Sequence, residues 1–154
     1  LLIMNVLFVC TGNVCRSPIA EALMRKKFEK YDLDGIVDSA GFSPTTINDA
    51  PDYRAVEAAK GFNVELTGNS RIFLKNDFDR FDKIYVMDTK NLREVKDLTR
   101  NKNDEAKVDY IMNVIEPGSN KVLPDPIYSG TLGFNEFMTI IDKVTAKIAE
   151  DNRK

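Results

Sequence analysis

No histidine occurs anywhere in the 154 residues, and only two cysteines do. The first absence removes Cys-His and Ser-His-Asp nucleophilic catalysis, and with them the usual zinc sites. Any nucleophile in this chain must be activated by backbone dipoles, cations or hydroxyls. The two cysteines both fall within residues 10–18. They are too few for a disulfide framework, which fits a reducing, cytoplasmic setting. No apolar run reaches the length of a membrane span, and no secretory signal is visible. A net charge of −2 and a pI of about 5.3 leave no basic field to attract nucleic acid.

What is present suffices for one domain with a proper core, at 43% hydrophobic residues and without low-complexity tracts. The chain opens Leu1-Leu2-Ile3 ahead of Met4. Met4 reads as the native start and residues 1–3 as an added remnant, so a single domain is expected over residues 4–152.

The most informative stretch is Cys10-Thr11-Gly12-Asn13-Val14-Cys15-Arg16-Ser17-Pro18, directly after the apolar run Val6–Val9. A cysteine and an arginine separated by five residues, between strand and helix, form a candidate phosphate trap with a nucleophile at its floor. Backbone amides of such a loop can turn inward as an anion nest. A helix opened by Ser17 as N-cap and Pro18 at its first position adds the positive end of its dipole. Arg16 adds a full charge and a two-pronged fork for phosphate oxygens. The same field favours Cys10 as the attacking thiolate. A cysteine at the end of a buried strand is more often a small core residue. Here the strand before, the helix after, Gly12 inside and Ser-Pro at the exit all favour the phosphate loop.

Strands and helices alternate along the chain, which predicts a parallel sheet covered on both faces. Val6–Val9, residues 35–40, residues 83–87 and residues 107–112 read as strands. Residues 18–30, 51–60 and 90–98 read as helices. Phe134, Phe137, Met138, Ile141, Val144 and Ile148 trace the core face of a long C-terminal helix. Residues 42–50 and 116–132 have no clear periodicity. Loops beyond the carboxyl ends of strands form the ligand crevice in such folds, so these two are expected to wall the Cys10 loop.

A thiolate attacking a phosphate ester expels an alkoxide or phenoxide that must be protonated. Without histidine, a carboxylic acid or tyrosine must do this. Asp125, in Leu123-Pro124-Asp125-Pro126-Ile127-Tyr128, is stiffened by a proline on each side. On local sequence alone it is equally a simple Pro-Asp-Pro turn.

Taken in order, the Val9–Pro18 segment, Asp38-Ser39-Ala40-Gly41, Met87-Asp88 and Asp125-Pro126 closely resemble the low-molecular-weight protein tyrosine phosphatases. The resemblance covers essentially the whole chain from Met4. It implies a flavodoxin-like, three-layer α/β fold with a four-stranded parallel sheet flanked by helices. Cys10 would form a cysteinyl-phosphate, and Asp125 would protonate the leaving oxygen and then activate water. Arg16 and the amides of Thr11, Gly12, Asn13, Val14, Cys15 and Arg16 would hold phosphate, with no metal and no cofactor. Asn13 matches a residue in left-handed conformation, Ser17 the hydroxyl beside the thiolate, and Ser39 a partner bracing Asn13. Val14, Ile127 and Tyr128 would line the substrate pocket. Cys15 has two readings, packing or a reversible disulfide with Cys10, and the resemblance favours the disulfide. The expected partner is a phosphotyrosine-bearing protein substrate, with Tyr53 and Tyr128 as candidate sites for a tyrosine kinase and the chain a monomer or weak dimer.

The departures from the family pattern are equally specific. A histidine that often extends the Ser39 network falls at Gly68, leaving a loop held by fewer side-chain bonds or by another donor such as Thr67 or Asn69. Asp-Pro is followed by Ile127 and Tyr128 rather than by two aromatics. Pro44-Thr45-Thr46 stands where another aromatic is common, with Phe42 either a substitute wall or core. Arginine phosphatases share this loop but tend to carry threonine where Val14 stands, so Val14 and Tyr128 favour a phenyl ring. Arsenate reductases of the same fold need relay cysteines, and none follows Cys15. A phosphotyrosine-binding module without activity is the non-enzymatic alternative, against which Cys10, Arg16 and Asp125 all stand.

Overall fold

Val6, Leu7, Phe8 and Val9 are all completely buried, as a strand covered on both faces requires. A computed structural model describes residues 3–128 and 132–153. In it β1 (Val6–Val9) pairs in parallel with β2 (Val37–Ala40) on one side and β3 (Lys83–Val86) on the other. β4 (Val108–Tyr110) extends the sheet beyond β3, giving the order β2-β1-β3-β4. That order and the parallel sense are those of a flavodoxin-like, doubly wound sheet, as expected from the sequence.

Alternation along β1 divides the core in two. Val6 and Phe8 face α1 (Arg16–Lys30) and the long C-terminal helix (Phe134–Asn152), where Leu23, Met24, Phe137, Ile141 and Val144 pack. Leu7 and Val9 face the opposite layer of Phe73, Phe78, Phe81, Ile84, Val86 and Val95. Full burial of one such side chain contributes roughly 1.5–3 kcal/mol, so β1 is held on both faces. The helices between them are α2 (Tyr53–Lys60), α3 (Asp77–Arg80), α4 (Thr89–Lys96) and α5 (Lys102–Ala106), and the C-terminal helix is α6. Among the described residues no helix is long and apolar enough to cross a membrane.

Several expected boundaries move. The second strand begins at Val37 rather than Gly35. Gly35 has φ +143°, and a Cβ there would lie 1.8 Å from the Met4 carbonyl oxygen, so the chain at this point is a close backbone crossing. The fourth strand stops at Tyr110, and Ile111–Val114 winds into a 3-10 turn. The short helices α3 and α5 carry too few turns to show a periodicity. Residues 42–50 contain one 3-10 turn at Pro44–Thr46. The start of α1 also differs: the helix begins at Arg16 with Cys15 as N-cap, and no side chain caps it. Ser17 is not the cap, because its hydroxyl is directed to the Cys10 sulfur. Leu1 and Leu2 of the expected N-terminal remnant lie outside the described residues.

Candidate active site

Residues 10–15 connect β1 to α1, and neighbouring chain holds their carbonyl groups from outside. The Thr11 carbonyl accepts from the Phe42 and Ser43 amides at 2.8 and 3.0 Å. The Gly12 carbonyl accepts from Thr46 Oγ1 at 2.8 Å, and the Val14 carbonyl from the Asp52 amide at 2.7 Å. In a trans peptide the next N–H points opposite to the carbonyl, so outward carbonyls turn the amides of Gly12, Asn13 and Cys15 inward. Asn13 adopts φ 54°, a left-handed conformation that asparagine tolerates. Its N–H is directed at Cys10 Sγ, 3.3 Å away. The loop thereby presents these amides at the positive end of α1, an arrangement suited to an anion.

Cys10 is buried, and its Sγ lies 3.0 Å from Ser17 Oγ. Asn13 Nδ2 donates both to Ser17 Oγ at 2.8 Å and to Ser39 Oγ at 2.9 Å. The Arg71 amide donates to Asn13 Oδ1 at 2.9 Å, which settles the orientation of the side-chain amide. The network continues from Ser39 Oγ to Glu21 Oε1 at 2.6 Å. The sequence left two outcomes for the absent histidine, fewer side-chain bonds or another donor such as Thr67 or Asn69. Asn69 instead meets Asn48, and Glu21 takes the end of the network as an acceptor.

Arg16 is 4% exposed and reaches across the loop. Its Nη1 donates to Asp88 Oδ2 and to the Leu123 carbonyl, both at 2.9 Å. Its Nε is buried without a hydrogen-bond partner and lies 3.8 Å from Asp125 Oδ2. A guanidinium fixed at one nitrogen and free at another is prepared to receive an anion's oxygen. Asp88 also caps α4 through Oδ1, which accepts from the Asn91 amide at 2.9 Å. Asn91, itself buried, donates to Thr11 Oγ1 at 3.2 Å.

Asp125 sits between two prolines, and its Oδ1 accepts from the Ile127 amide at 2.9 Å. The local turn and the approach to the loop therefore coexist in one residue. Burial pushes the Cys15 thiol well above its ordinary pKa, and the charges of Asp125, Cys10 and Asp52 add to this against the opposing pull of Arg16. Cys15 thus stays protonated at neutral pH.

Tyr128 is 86% exposed at the rim, and Val14 is half-buried. Ile127 packs partly against the α1–α6 core, which makes it support as much as wall. Phe42 stacks on Phe73 with ring centroids 5.6 Å apart and packs, partly buried, against the second core layer. Sequence reasoning missed Glu21, Asp88 and Asn91. Asp88 stood within a quoted motif, and Glu21 lies one helical turn beyond Ser17 on the same face of α1.

Among the described residues no group of three His, Cys, Asp or Glu side chains is placed to hold a metal ion. A depression of about 730 Å³ lies at the other end of α1 between Lys26, Lys30, Phe62 and Asp142, remote from Cys10.

A family model described as low molecular weight phosphotyrosine protein phosphatase matches residues 5–154. The low molecular weight phosphotyrosine protein phosphatase of Schizosaccharomyces pombe is 35% identical over 142 residues, 90% of each chain. A solved protein tyrosine phosphatase from Entamoeba histolytica superposes with a TM-score of 0.83 at 32% identity, covering 96% of both chains. A Drosophila arginine phosphatase superposes with a TM-score of 0.88 at 29% identity, covering 98% of this chain and 99% of that one. With the match spanning nearly the whole chain and the sheet shared, the chain belongs to the low molecular weight protein tyrosine phosphatase family of phosphomonoesterases.

Proposed function

We propose that the chain hydrolyses phosphotyrosine in proteins through a cysteinyl-phosphate on Cys10, with Asp125 as acid and then base. The observation that carries this reading is the convergence of Cys10, Arg16 and Asp125 on one loop. The sulfur receives the Asn13 N–H and faces the Ser17 hydroxyl, while the unpartnered Arg16 Nε stands near the Asp125 carboxylate.

In the first step the Cys10 thiolate attacks phosphorus in line. The S–P bond forms as the P–O bond to the aryl group breaks. Inward amides and Arg16 stabilise the equatorial oxygens where charge is concentrated. Protonated Asp125 gives its proton to the departing phenoxide. In the second step the Asp125 carboxylate takes a proton from water, whose oxygen attacks phosphorus. Inorganic phosphate leaves and the thiolate is restored. A neutral histidine is not needed, since Ser17 and Asn13 supply the donors.

Substrate preference follows from the rim. Val14 offers methyl groups and Tyr128 an exposed ring, which suit a phenyl group better than a guanidinium with its several donors. Phosphoarginine is the second reading, supported by the similarity to the Drosophila arginine phosphatase. Turnover of matched phosphotyrosine, phosphoarginine and phosphoserine peptides decides between them. We expect phosphotyrosine to be cleaved fastest, Cys10→Ser to be inactive, and Asp125→Ala to be slowed most on poor leaving groups. Faster release from phosphoarginine would overturn the substrate assignment. Equal rates for wild type and Cys10→Ser would overturn the mechanism.

A further inference from the structure

The geometry points to Glu21 as a positioning residue, whose carboxylate holds the phosphate loop in its working conformation through Ser39 and Asn13. This inference rests on the phosphatase reading and adds a residue to it.

The directions of the hydrogen bonds around Asn13 can be assigned. A backbone amide can only donate, so the Arg71 N–H fixes Asn13 Oδ1 as acceptor at 2.9 Å. Asn13 Nδ2 must then donate both of its hydrogens, one to Ser17 Oγ and one to Ser39 Oγ. Each hydroxyl, having accepted, has its own proton to give. Toward the attacking Cys10 thiolate, which has no proton to give, Ser17 is the donor at 3.0 Å. Ser39 gives its proton to Glu21 Oε1 at 2.6 Å, a short, charge-assisted bond. A hydroxyl donating to a carboxylate is a better acceptor, which tightens its hold on Asn13.

Asn13 is the point through which both groups on the Cys10 sulfur pass. Its own N–H reaches the sulfur at 3.3 Å, and its side chain directs the Ser17 hydroxyl. It keeps a left-handed φ of 54°, a conformation with a cost that the surroundings must offset. The backbone amide of Arg71 braces one side of the Asn13 amide, and the two serines brace the other. Of those serines, Ser39 alone ends on a fixed charge.

Glu21 is itself held. Arg25 Nε and Nη2 both donate to Glu21 Oε2, at 3.0 and 2.7 Å, which leaves Oε1 for Ser39. The carboxylate is 15% exposed, whereas its arginine partner is 55% exposed. A surface ion pair of this kind contributes little stability by itself. Its consequence here is orientation. The other charges near this end of the sheet, Asp38 and Arg71, pair with each other at 3.1 Å. A polar cavity of about 200 Å³ borders Asn13, Glu21 and Ser39. Water can enter this space and serve Ser39 when the carboxylate is removed, though without an anchor.

The test compares Glu21→Ala, Ser39→Ala and the double variant. The readouts are the rate of Cys10 alkylation by iodoacetamide at mildly acidic pH and kcat/KM on an aryl phosphate, with melting temperature as a fold control. Each single variant should lose about tenfold in both rates, the scale of a charged hydrogen bond. The double variant should lose no more than the worse single one, because both interrupt one chain of bonds. Glu21→Ala with wild-type alkylation, or losses that multiply in the double variant, would overturn the proposal. Glu21→Gln combined with Arg25→Ala supplies a rescue, because the amide's one oxygen is then released to face Ser39. It should recover most of the alkylation rate, and a rate as slow as that of Glu21→Ala would also count against the assignment. Alkylation needs no substrate. A wrong substrate class therefore leaves this result standing, and a failure here leaves the phosphatase reading intact.

Discussion

Arg16 Nη1 lies 2.9 Å from Asp88 Oδ2, across a sequence separation of 72 residues. One carboxylate thus performs two tasks, since its other oxygen caps α4. The guanidinium is fixed at Nη1 and keeps Nε without a hydrogen-bond partner, 3.8 Å from Asp125 Oδ2.

Asp88→Asn separates the two tasks. The amide oxygen can still accept from the Asn91 N–H, while its NH2 opposes the donors of Arg16. We expect the helix cap to survive and kcat/KM on an aryl phosphate to fall by roughly tenfold or more, the cost of one charged hydrogen bond. Inhibition by inorganic phosphate should weaken in parallel. Asp88→Ala should show the same kinetic loss with about 1 kcal/mol of additional destabilisation from the missing cap. Undiminished phosphate inhibition in both variants would exclude Asp88 as the support of Arg16.

Gly41 tests the packing behind the loop. A Cβ at this position would lie 2.7 Å from the Thr11 carbonyl oxygen and 3.0 Å from Asn13 Cβ. Both are backbone or short-chain atoms that cannot swing away. Gly41→Ala should therefore cost about 1–3 kcal/mol in a denaturant titration, the scale of overpacking. It should also push the loop out of register and reduce turnover. A variant with native stability and turnover would show that the loop is softer than its contacts indicate.

The second core layer carries an acid-sensitive ion cluster. Hydrogen bonds from Arg100 hold the carboxyls of Asp79 and Asp104 below the ordinary aspartate range. A carboxyl with a depressed folded-state pKa stabilises fully above its unfolded value of about 3.9, and that stability is lost as pH falls through the lower folded value. The advantage of wild type over Arg100→Ala should be largest near neutral pH and shrink between about pH 5 and pH 2. Urea midpoints measured across that range check it, and a constant difference would contradict it.

The loop residues 10–18 were legible in the sequence because their immediate neighbours mark them, whereas Asp125, locally as good a turn as an acid, was singled out by the family resemblance. The layered sheet was legible because β1 is apolar throughout and α6 keeps a clean helical stripe. Ser17 was misplaced for a physical reason: Ser-Pro before an apolar run has the local form of an N-cap, but the thiol competed for that hydroxyl. Asp88 and Glu21 were not recognised as partners because nothing local distinguishes them among 24 acidic residues. Their roles come from the crossing of distant segments. Phe42 was ambiguous until Phe73 met it from 31 positions away.

Cys15 is the remaining group whose chemistry can be tested directly. It is buried, and its raised pKa keeps it a protonated thiol at neutral pH. Cys10, also buried, stands five residues before it on the same β1–α1 loop. Hydrogen peroxide converts the Cys10 thiolate to a sulfenic acid. The Cys15 thiol can then attack that sulfur, forming the S–S bond as hydroxide leaves and takes the thiol proton to become water. The disulfide is reversible by dithiothreitol, whereas further oxidation of Cys10 to the sulfinic acid is not. Wild-type enzyme treated with peroxide should recover most of its activity in dithiothreitol, and Cys15→Ser should recover far less. Loss of two thiols per chain in wild type, with a matching mass change, should accompany the recovery. Equal recovery in the two proteins would sink the redox role and leave Cys15 as a core residue under the loop.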